Sequence, residues 1–278
     1  MFTPVEMVGN YADIGAKKVA YPIWKMLLAG ALAGLIIGMG AAVANTATFG
    51  FATNPSAQRD IAGLLFPFGL GIIILTGMEL FTGNCLICIS VLEKKVKITA
   101  MLRNWLYVYL GNFIGAVFLA VCHVYANEVG LSNGDLAVAT IRIAAYKCTF
   151  TFGQALTLGV LCNVMVCLGV LVSLTAKDTM GRIAGAFIPV AFFIICGYEH
   201  SVANMYYVTA GLFANSVPGY ASLAADAGVD TSGLTFAGFM LNNLLPVTLG
   251  NIIGGVGIGA SMWAIHLKKT ANIVDAIK

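Results

Sequence analysis

Six long apolar segments are the feature that most limits what this chain can form. They lie at roughly 23–45, 61–92, 101–125, 151–175, 183–211 and 237–267. A helix of about 20 apolar residues crosses the hydrocarbon core of a bilayer. The chain is 59% hydrophobic and 10% charged, whereas a soluble domain carries about 25% charged residues. We therefore predict an all-α integral membrane protein, a single transmembrane domain over residues 1–278 with six transmembrane helices.

The lysines and arginines predict how these helices are oriented. With six spans both termini share one side, and that side holds 12 of the 15 basic residues. The other side holds Arg59, Arg142 and Lys147. Because cytoplasmic loops are enriched in lysine and arginine, we predict a multi-pass plasma membrane protein of a bacterial or archaeal cell. Its cytoplasmic tails are residues 1–22, whose weak amphipathicity leaves open a role as a gate, and 268–278.

Two pairs of similar segments indicate an internal repeat. Residues 104–117 and 243–256 share nine of 14 positions at an offset of 139. Residues 77–84 and 197–204 share Gly, Glu and Asn at equal spacing. The first pair aligns the third span with the sixth, and the second pair aligns the second span with the fifth. Each repeat unit therefore has three spans. Because this number is odd, the second unit enters the membrane in the opposite orientation. We predict two inverted three-helix repeats, at about 23–125 and 151–267.

The second and fifth spans are too long for one crossing and contain the repeated motif, which predicts that both helices are broken inside the membrane. The N-terminus of a half-helix carries partial positive charge and attracts anions. Ionisable groups at this depth are costly and mark functional sites. The three such groups are Glu79, Glu199 and His200.

His200 breaks the symmetry of the repeat, because its counterpart is Leu80. An imidazole can donate a hydrogen bond to an anion or pass it a proton near neutral pH. The alternative is a histidine satisfied by a packing partner. Its place in a break motif favours a functional role.

The other polar residues of the breaks have two interpretations each. A carboxylate facing an anion pore would repel its cargo, so we expect Glu79 and Glu199 to be structural and to bind loop backbone N–H groups; a cation pathway is the alternative. Asn163, within the fourth span, either lines a pore or joins helices. The polar residues that either bind cargo or hold the loops are Thr82, Asn84 and Asn204.

Large apolar residues flank the breaks. Rings of such side chains can gate a pore by dewetting, although for any one of them core packing is the better interpretation from the residues alone. The residues are Phe66, Leu70, Leu80 and Phe193.

Four segments together form a recognisable set. They are Gly77 with Glu79-Leu80-Phe81-Thr82-Gly83, Ala144-Ala145-Tyr146-Lys147, GVLCNVMVCL at 159–168 and GYEHSVAN at 197–204. With these segments the chain resembles the formate/nitrite transporter family over nearly its whole length. Two residues depart from the family pattern: Met78 stands where a small residue is usual, and Gly169 stands where alanine is usual. These departures leave the resemblance intact and bear on the choice of cargo.

The resemblance implies an aquaporin-like fold in a homopentamer with one pore in each protomer. The implied function is a channel or transporter for a small monovalent weak-acid anion, with formate first and nitrite or hydrosulfide as alternatives. Besides the anion, membrane lipid is the expected partner. No enzyme activity, cofactor, metal ion or nucleic acid is expected.

The same resemblance assigns roles to single residues. His200 would be the central hydrogen-bond donor, and Thr82 would face the pore beside it. Lys147 would lie in the outer vestibule and draw anions in, while Asn163 and Asn204 would line or orient the central site. Two apolar constrictions would be formed by Phe66, Leu70, Leu80 and Phe193.

Two other classes fit the sequence less well. Channels for water or glycerol carry paired Asn-Pro-Ala boxes, whereas this chain has one similar segment, Asn54-Pro55-Ser56, in a polar loop. A membrane enzyme needs a set of catalytic groups. His200 lies in an apolar span without an evident set of this kind.

Overall fold

The chain folds into a bundle of helices. The computed structural model describes residues 1–268, in which helices, turns and loops occur and no strand does. Six of the helical segments are long and apolar enough to cross a membrane, which confirms the predicted all-α fold with six spans. The first half comprises α1 (Pro4–Val19), α2 (Ile23–Thr48), α3 (Pro55–Leu65), α4 (Phe68–Thr76), α5 (Phe81–Asn84), α6 (Cys88–Leu92) and α7 (Ile98–Tyr125).

The second half repeats this series of long and short helices. It comprises α8 (Asp135–Lys147), α9 (Phe152–Thr175), α10 (Thr179–Cys196), α11 (Ser201–Asn215), α12 (Pro218–Asp226), α13 (Phe236–Gly238) and α14 (Leu245–His266). A stretch of π-helix, Phe239–Leu244, joins the last two.

The boundaries of the predicted spans need some correction. The predicted span at 61–92 begins earlier, at Pro55, and is divided among α3 to α6. The predicted span at 183–211 is divided between α10 and α11. Of the predicted tail 268–278, all but its first residue lies outside the described residues.

The N-terminal segment is a docked helix. Thr3 caps α1 through a capping box with Glu6, and Pro4 occupies the first turn, a combination that starts helices. The Tyr11 hydroxyl donates to the carbonyl of Gly83 at 2.9 Å. The Ser90 hydroxyl donates to the carbonyl of Ala12 at 2.8 Å. These bonds hold α1 against the segment that follows the first break.

The first interruption separates α4 from α5. The helix ends at Thr76, and Gly77 takes the left-handed conformation (φ 71°), which glycine adopts without steric cost. Leu80 is extended (φ −110°, ψ 122°), and α5 begins at Phe81.

The second interruption has the same geometry. Here α10 ends at Cys196, and Gly197 is left-handed (φ 73°). His200 is extended (φ −106°, ψ 114°), and α11 begins at Ser201. Both interruptions fall inside segments whose length and repeated motif predicted them.

An asparagine from a neighbouring long helix satisfies the backbone at each interruption. At the first, the Phe81 N–H donates to Asn112 Oδ1 at 2.9 Å. Asn112 Nδ2 donates to the carbonyls of Glu79 at 2.9 Å and Gly30 at 2.7 Å. Because unpaired backbone groups cost several kcal/mol in lipid, this one side chain makes the break tolerable.

Asn251 makes the equivalent hydrogen bonds at the second interruption. The Ser201 N–H donates to Asn251 Oδ1 at 2.9 Å. Asn251 Nδ2 donates to the carbonyls of Glu199 at 3.0 Å and Gly159 at 2.8 Å. Asn112 and Asn251 are separated by the repeat offset of 139. The two halves therefore share their contacts as well as their sequence, while their inverted arrangement and their limits stay predictions.

Small residues let the long helices pack in close pairs, α2 with α7 and α9 with α14. A Cβ added to Gly254 of α14 would lie 2.2 Å from the carbonyl oxygen of Val160 on α9. In the same helix, a Cβ added to Gly257 meets nothing within 4 Å. Small residues at such interfaces permit backbone-to-backbone approach.

The outward faces of the long helices are apolar. On α7 an exposed stripe recurs every fourth residue, and a matching stripe runs into α14. The members are Leu102, Leu106, Leu110, Ile114 and Phe118, and then Leu241, Leu245, Leu249 and Ile253. Such stripes suit contact with lipid or with neighbouring protomers.

We predict that Gly254→Ala destabilises the protein, since the added methyl group overlaps the α9 backbone and overpacking costs about 1–3 kcal/mol. The thermal midpoint of the purified protein in detergent would fall. Gly257→Ala is the matched control in the same helix, and it should leave the midpoint unchanged or raise it because alanine favours helix. Equal midpoints for the two variants would contradict the close packing of α9 and α14.

Candidate functional site: two vestibules and a central contact

Two cavities lie at opposite ends of the bundle. The first measures about 300 Å³ and is lined by residues of α1, of the first interruption and of the start of α10, among them Lys18 and Arg182. The second measures about 280 Å³ and is lined by residues of α3, α8 and the second interruption, among them Lys147 and His200. We refer to them as the inner and the outer vestibule, following the predicted orientation.

The two interruptions meet between these vestibules. Thr82 Oγ1, on α5, lies 2.9 Å from Nε2 of His200, at the start of α11. Thr82 is 0% exposed and His200 is 3% exposed. The structure thus brings these two residues side by side, while their role in a pore stays a prediction.

One hydrogen bond determines which nitrogen of His200 carries the proton. Nδ1 accepts from the backbone N–H of Ala203 at 3.1 Å, where His200 caps α11. A neutral ring therefore carries its proton on Nε2, which donates to Thr82 Oγ1 or to a molecule that takes its place. A second proton, on Nδ1, would remove the cap.

The four large apolar residues surround this contact. Leu70 and Leu80 line the inner vestibule, and Phe193 lines the outer one. The rings of Phe193 and His200 stack at 5.9 Å with an angle of 14° between their planes. Phe66 packs edge-on against Phe193 at 5.9 Å. Whether these residues form two apolar constrictions stays a prediction.

A polar cluster at the inner vestibule contains a buried ion pair. Lys18 Nζ lies 2.8 Å from Glu79 Oε1, and the two side chains are 18% and 2% exposed. The same ammonium donates to Asn84 Oδ1 at 2.9 Å. Asn84 Nδ2 donates to Glu79 Oε2 at 2.7 Å and to Asn104 Oδ1 at 2.9 Å. All four side chains belong to the first half of the chain.

The outer vestibule has a matching cluster from the second half. Lys147 Nζ lies 2.8 Å from Glu199 Oε1. Asn204 Nδ2 donates to Glu199 Oε2 at 2.7 Å and to Asn243 Oδ1 at 2.8 Å. Lys18 and Lys147 lie outside the predicted repeat limits, so the correspondence between the halves extends to α1 and α8.

The two clusters differ in the surroundings of the asparagine next to the carboxylate. Lys18 donates to Asn84 Oδ1, whereas Asn204 Oδ1 is buried without a hydrogen-bond partner among residues 1–268. Lys147 instead lies over the ring of Tyr207, 5.3 Å from its centroid. The ammonium of Lys147 can therefore donate a further hydrogen bond, and the same cluster contains an acceptor without a partner in the described part of the chain, Asn204 Oδ1.

Asn163 supports the central contact from behind. Its Nδ2 donates to the carbonyl of Thr82 at 3.2 Å and to that of Asn251 at 2.6 Å. The side chain is fully buried. Of its two interpretations, the structure favours the one in which it joins helices, because both of its donors are used on backbone carbonyls.

One expectation about the carboxylates was wrong. Glu79 and Glu199 do not bind loop backbone N–H groups; each accepts from a lysine and an asparagine side chain. A buried carboxylate needs a charged partner to offset its desolvation, and the two lysines supply that partner.

Sequence reasoning missed several residues that hold the site together. Lys18 was placed in a tail rather than beside Glu79. The asparagines of α7, of the π-helical stretch and of α14 were noted only as identities in the repeat, although an asparagine present at the same place in two apolar segments was itself a signal. They are Asn104, Asn112, Asn243 and Asn251.

A six-span bundle with two vestibules and a polar contact between its two helix interruptions is typical of a membrane channel or transporter. The family model for the formate/nitrite transporter matches residues 5–265. The chain belongs to the formate/nitrite transporter family, as the sequence motifs predicted.

Named relatives resemble the chain over nearly its whole length. A "probable formate transporter" of Methanothermobacter thermautotrophicus is 33% identical over 96% of this chain and 98% of its own. The formate channel FocA of Escherichia coli (strain K12) is 31% identical over 97% and 96%. A solved structure described as a pentameric formate channel with formate bound has a TM-score of 0.77 and 32% identity, covering 88% of this chain and 98% of that one.

We predict that Lys18→Met destabilises the protein, because it leaves the buried carboxylate of Glu79 without its ammonium. Breaking a buried pair in this way costs roughly 3–5 kcal/mol. The thermal midpoint in detergent should fall clearly below that of the unsubstituted protein. The double variant Lys18→Met/Glu79→Gln removes both charges and should recover part of the loss. An unchanged midpoint for the single variant would mean that the pair does not form.

Proposed function

We propose that this chain forms a channel or transporter for a small monovalent weak-acid anion, and that the anion is formate. The observation that carries the proposal is the contact between His200, which lines the outer vestibule, and Thr82, whose neighbours Leu80 and Gly83 line the inner vestibule. The names of the relatives, formate channels and transporters, support formate. Nitrite and hydrosulfide, which are also small monovalent anions, are the alternatives.

Passage is limited by desolvation. A small anion in either vestibule lies near lysine side chains and water, but at the constrictions it must lose that water among Leu80, Phe193 and their neighbours. Moving an isolated ion into such surroundings is expensive. The Nε2–H of His200 offsets part of that loss by donating a hydrogen bond, and charge-assisted bonds of this kind are the stronger ones.

Crossing as the neutral acid would lower the barrier further. The weak acid takes up a proton before the constriction and releases it beyond. In this version flux rises as the pH falls, since the fraction of neutral acid rises. His200 then orients the molecule, while its own Nδ1 stays engaged with the Ala203 N–H.

The assembly and location also belong to the proposal. We infer a homopentamer with one pore in each protomer, supported by the pentameric state of the similar formate channel. The exposed apolar stripes of α7 and α14 then contact lipid or neighbouring protomers. The protein would lie in the cytoplasmic membrane with its termini in the cytoplasm, supported by the distribution of lysine and arginine.

The test is uptake by liposomes that contain the purified protein. Formate, nitrite and hydrosulfide are compared side by side at pH of about 6 and about 8. We expect formate to be taken up fastest and uptake to rise at the lower pH. Equal uptake of all three would contradict a preference for formate. Water or glycerol permeation without anion uptake would identify a neutral-solute channel instead.

We predict that His200→Asn lowers formate uptake by about 10- to 100-fold, because a hydrogen bond to a charged group contributes about 1.5–3 kcal/mol. The shorter side chain cannot reach the position of Nε2. His123→Asn is the matched control, since His123 bonds the hydroxyl of Tyr206 at 2.8 Å and lines neither vestibule. Wild-type uptake by a correctly assembled His200 variant would refute the role of this residue.

A further inference from the structure

The outer vestibule has an excess of positive charge that does not come from Lys147. Three charged side chains line this cavity, namely Arg59, Lys147 and Glu199. Lys147 and Glu199 form an ion pair at 2.8 Å, with side chains 13% and 4% exposed. A closely paired ammonium and carboxylate exert little net field on an ion at a distance. The remaining unit of positive charge belongs to Arg59.

Arg59 stands at the mouth of the cavity, on the outer part of α3. Its Nη1 donates to the carbonyl of Ile195 at 3.3 Å. The guanidinium lies about 3.3 Å from the place that a Cβ on Gly197 would take, directly over the left-handed residue of the second interruption. Arg59 is exposed and makes no ion pair within residues 1–268. Its positive charge is therefore exposed to solvent at the entrance of the outer vestibule.

We propose that Arg59 is the residue that attracts anions to the outer vestibule, and that Lys147 acts further in as a hydrogen-bond donor. The proposal rests on the anion conduction proposed above. It replaces the expectation that Lys147 draws anions in. A charge at the mouth of a cleft raises the local concentration of an oppositely charged solute and its rate of entry.

The inner vestibule does not depend on Arg59. It is lined by three basic side chains, Lys17, Lys18 and Arg182, against one carboxylate, Glu79. Its excess of positive charge is thus larger and lies at the other end of the bundle. Loss of Arg59 should slow entry from the outer side and leave entry from the inner side unchanged.

The chain provides a closely matched control in Arg142. This residue is also exposed, lies on the same predicted side, and donates from Nη2 to a backbone carbonyl, that of Ala227, at 3.3 Å. It lines other surface recesses and not the outer vestibule. Arg59→Gln and Arg142→Gln therefore remove the same charge and the same kind of bond, but only the first changes the mouth of the pore.

The experiment measures initial formate uptake in liposomes at subsaturating formate, where entry limits the rate. Ionic strength is set at about 0.01 M, where the Debye length is about 30 Å, and at about 1 M, where it is about 3 Å. At low ionic strength we expect Arg59→Gln to be slower than wild type by about two- to fivefold, a small part of the range known for electrostatic steering. At high ionic strength the two should agree. Arg142→Gln and Arg59→Lys should follow wild type in both.

Each other result has a definite meaning. If Arg59→Gln matches wild type at low ionic strength while wild type conducts formate, the inference is wrong and the proposed function stands. If the loss persists at high ionic strength, or if Arg59→Lys does not restore the rate, Arg59 acts through its bond to Ile195, which also overturns the inference. If wild type takes up no anion, the proposed function itself fails.

Discussion

The hydrogen bonds of Asn112 and Asn251 are the interactions on which the rest of this structure depends. A helix that stops and restarts inside a membrane exposes backbone groups that lipid cannot satisfy. Each asparagine accepts from the N–H of the first residue of the second half-helix, and it donates to the carbonyl of the residue two positions earlier. With both interruptions stabilised, two loop segments can meet at mid-membrane. The contact between Thr82 and His200 exists only because these loops are held.

Buried charges are the second constraint. Glu79 and Glu199 lie next to the path proposed for an anion, a position that would be unfavourable for a carboxylate without partners. Each is bound by one lysine and by an asparagine on the same half of the chain. The ion pairs make the vestibule walls polar without concentrating charge of one sign. Attraction over distance is then left to unpaired basic residues at the mouths.

Much of this architecture could be predicted from the sequence, for physical reasons. Lipid requires long apolar segments, so the number of spans followed directly from the sequence. The excess length of the second and fifth spans, together with their repeated motif, indicated the interruptions. His200 stood out because ionisable groups are rare at that depth. The partner of Glu79 could not be predicted, since Lys18 was counted as part of a tail and the sequence gives no sign that its helix folds back. The same holds for Asn163, whose bonds depend on two segments distant in the sequence.

The division of the two polar clusters between the halves has a consequence for biosynthesis. One cluster is complete within the first 125 residues, and the other draws all its members from the residues after them. A growing chain can therefore neutralise the charges of its first three spans before the later spans have left the ribosome. The bond between Thr82 and His200 must wait for both halves, as must the bond from Asn163 to the Thr82 carbonyl. The central site can therefore form only after the second half of the chain has been made.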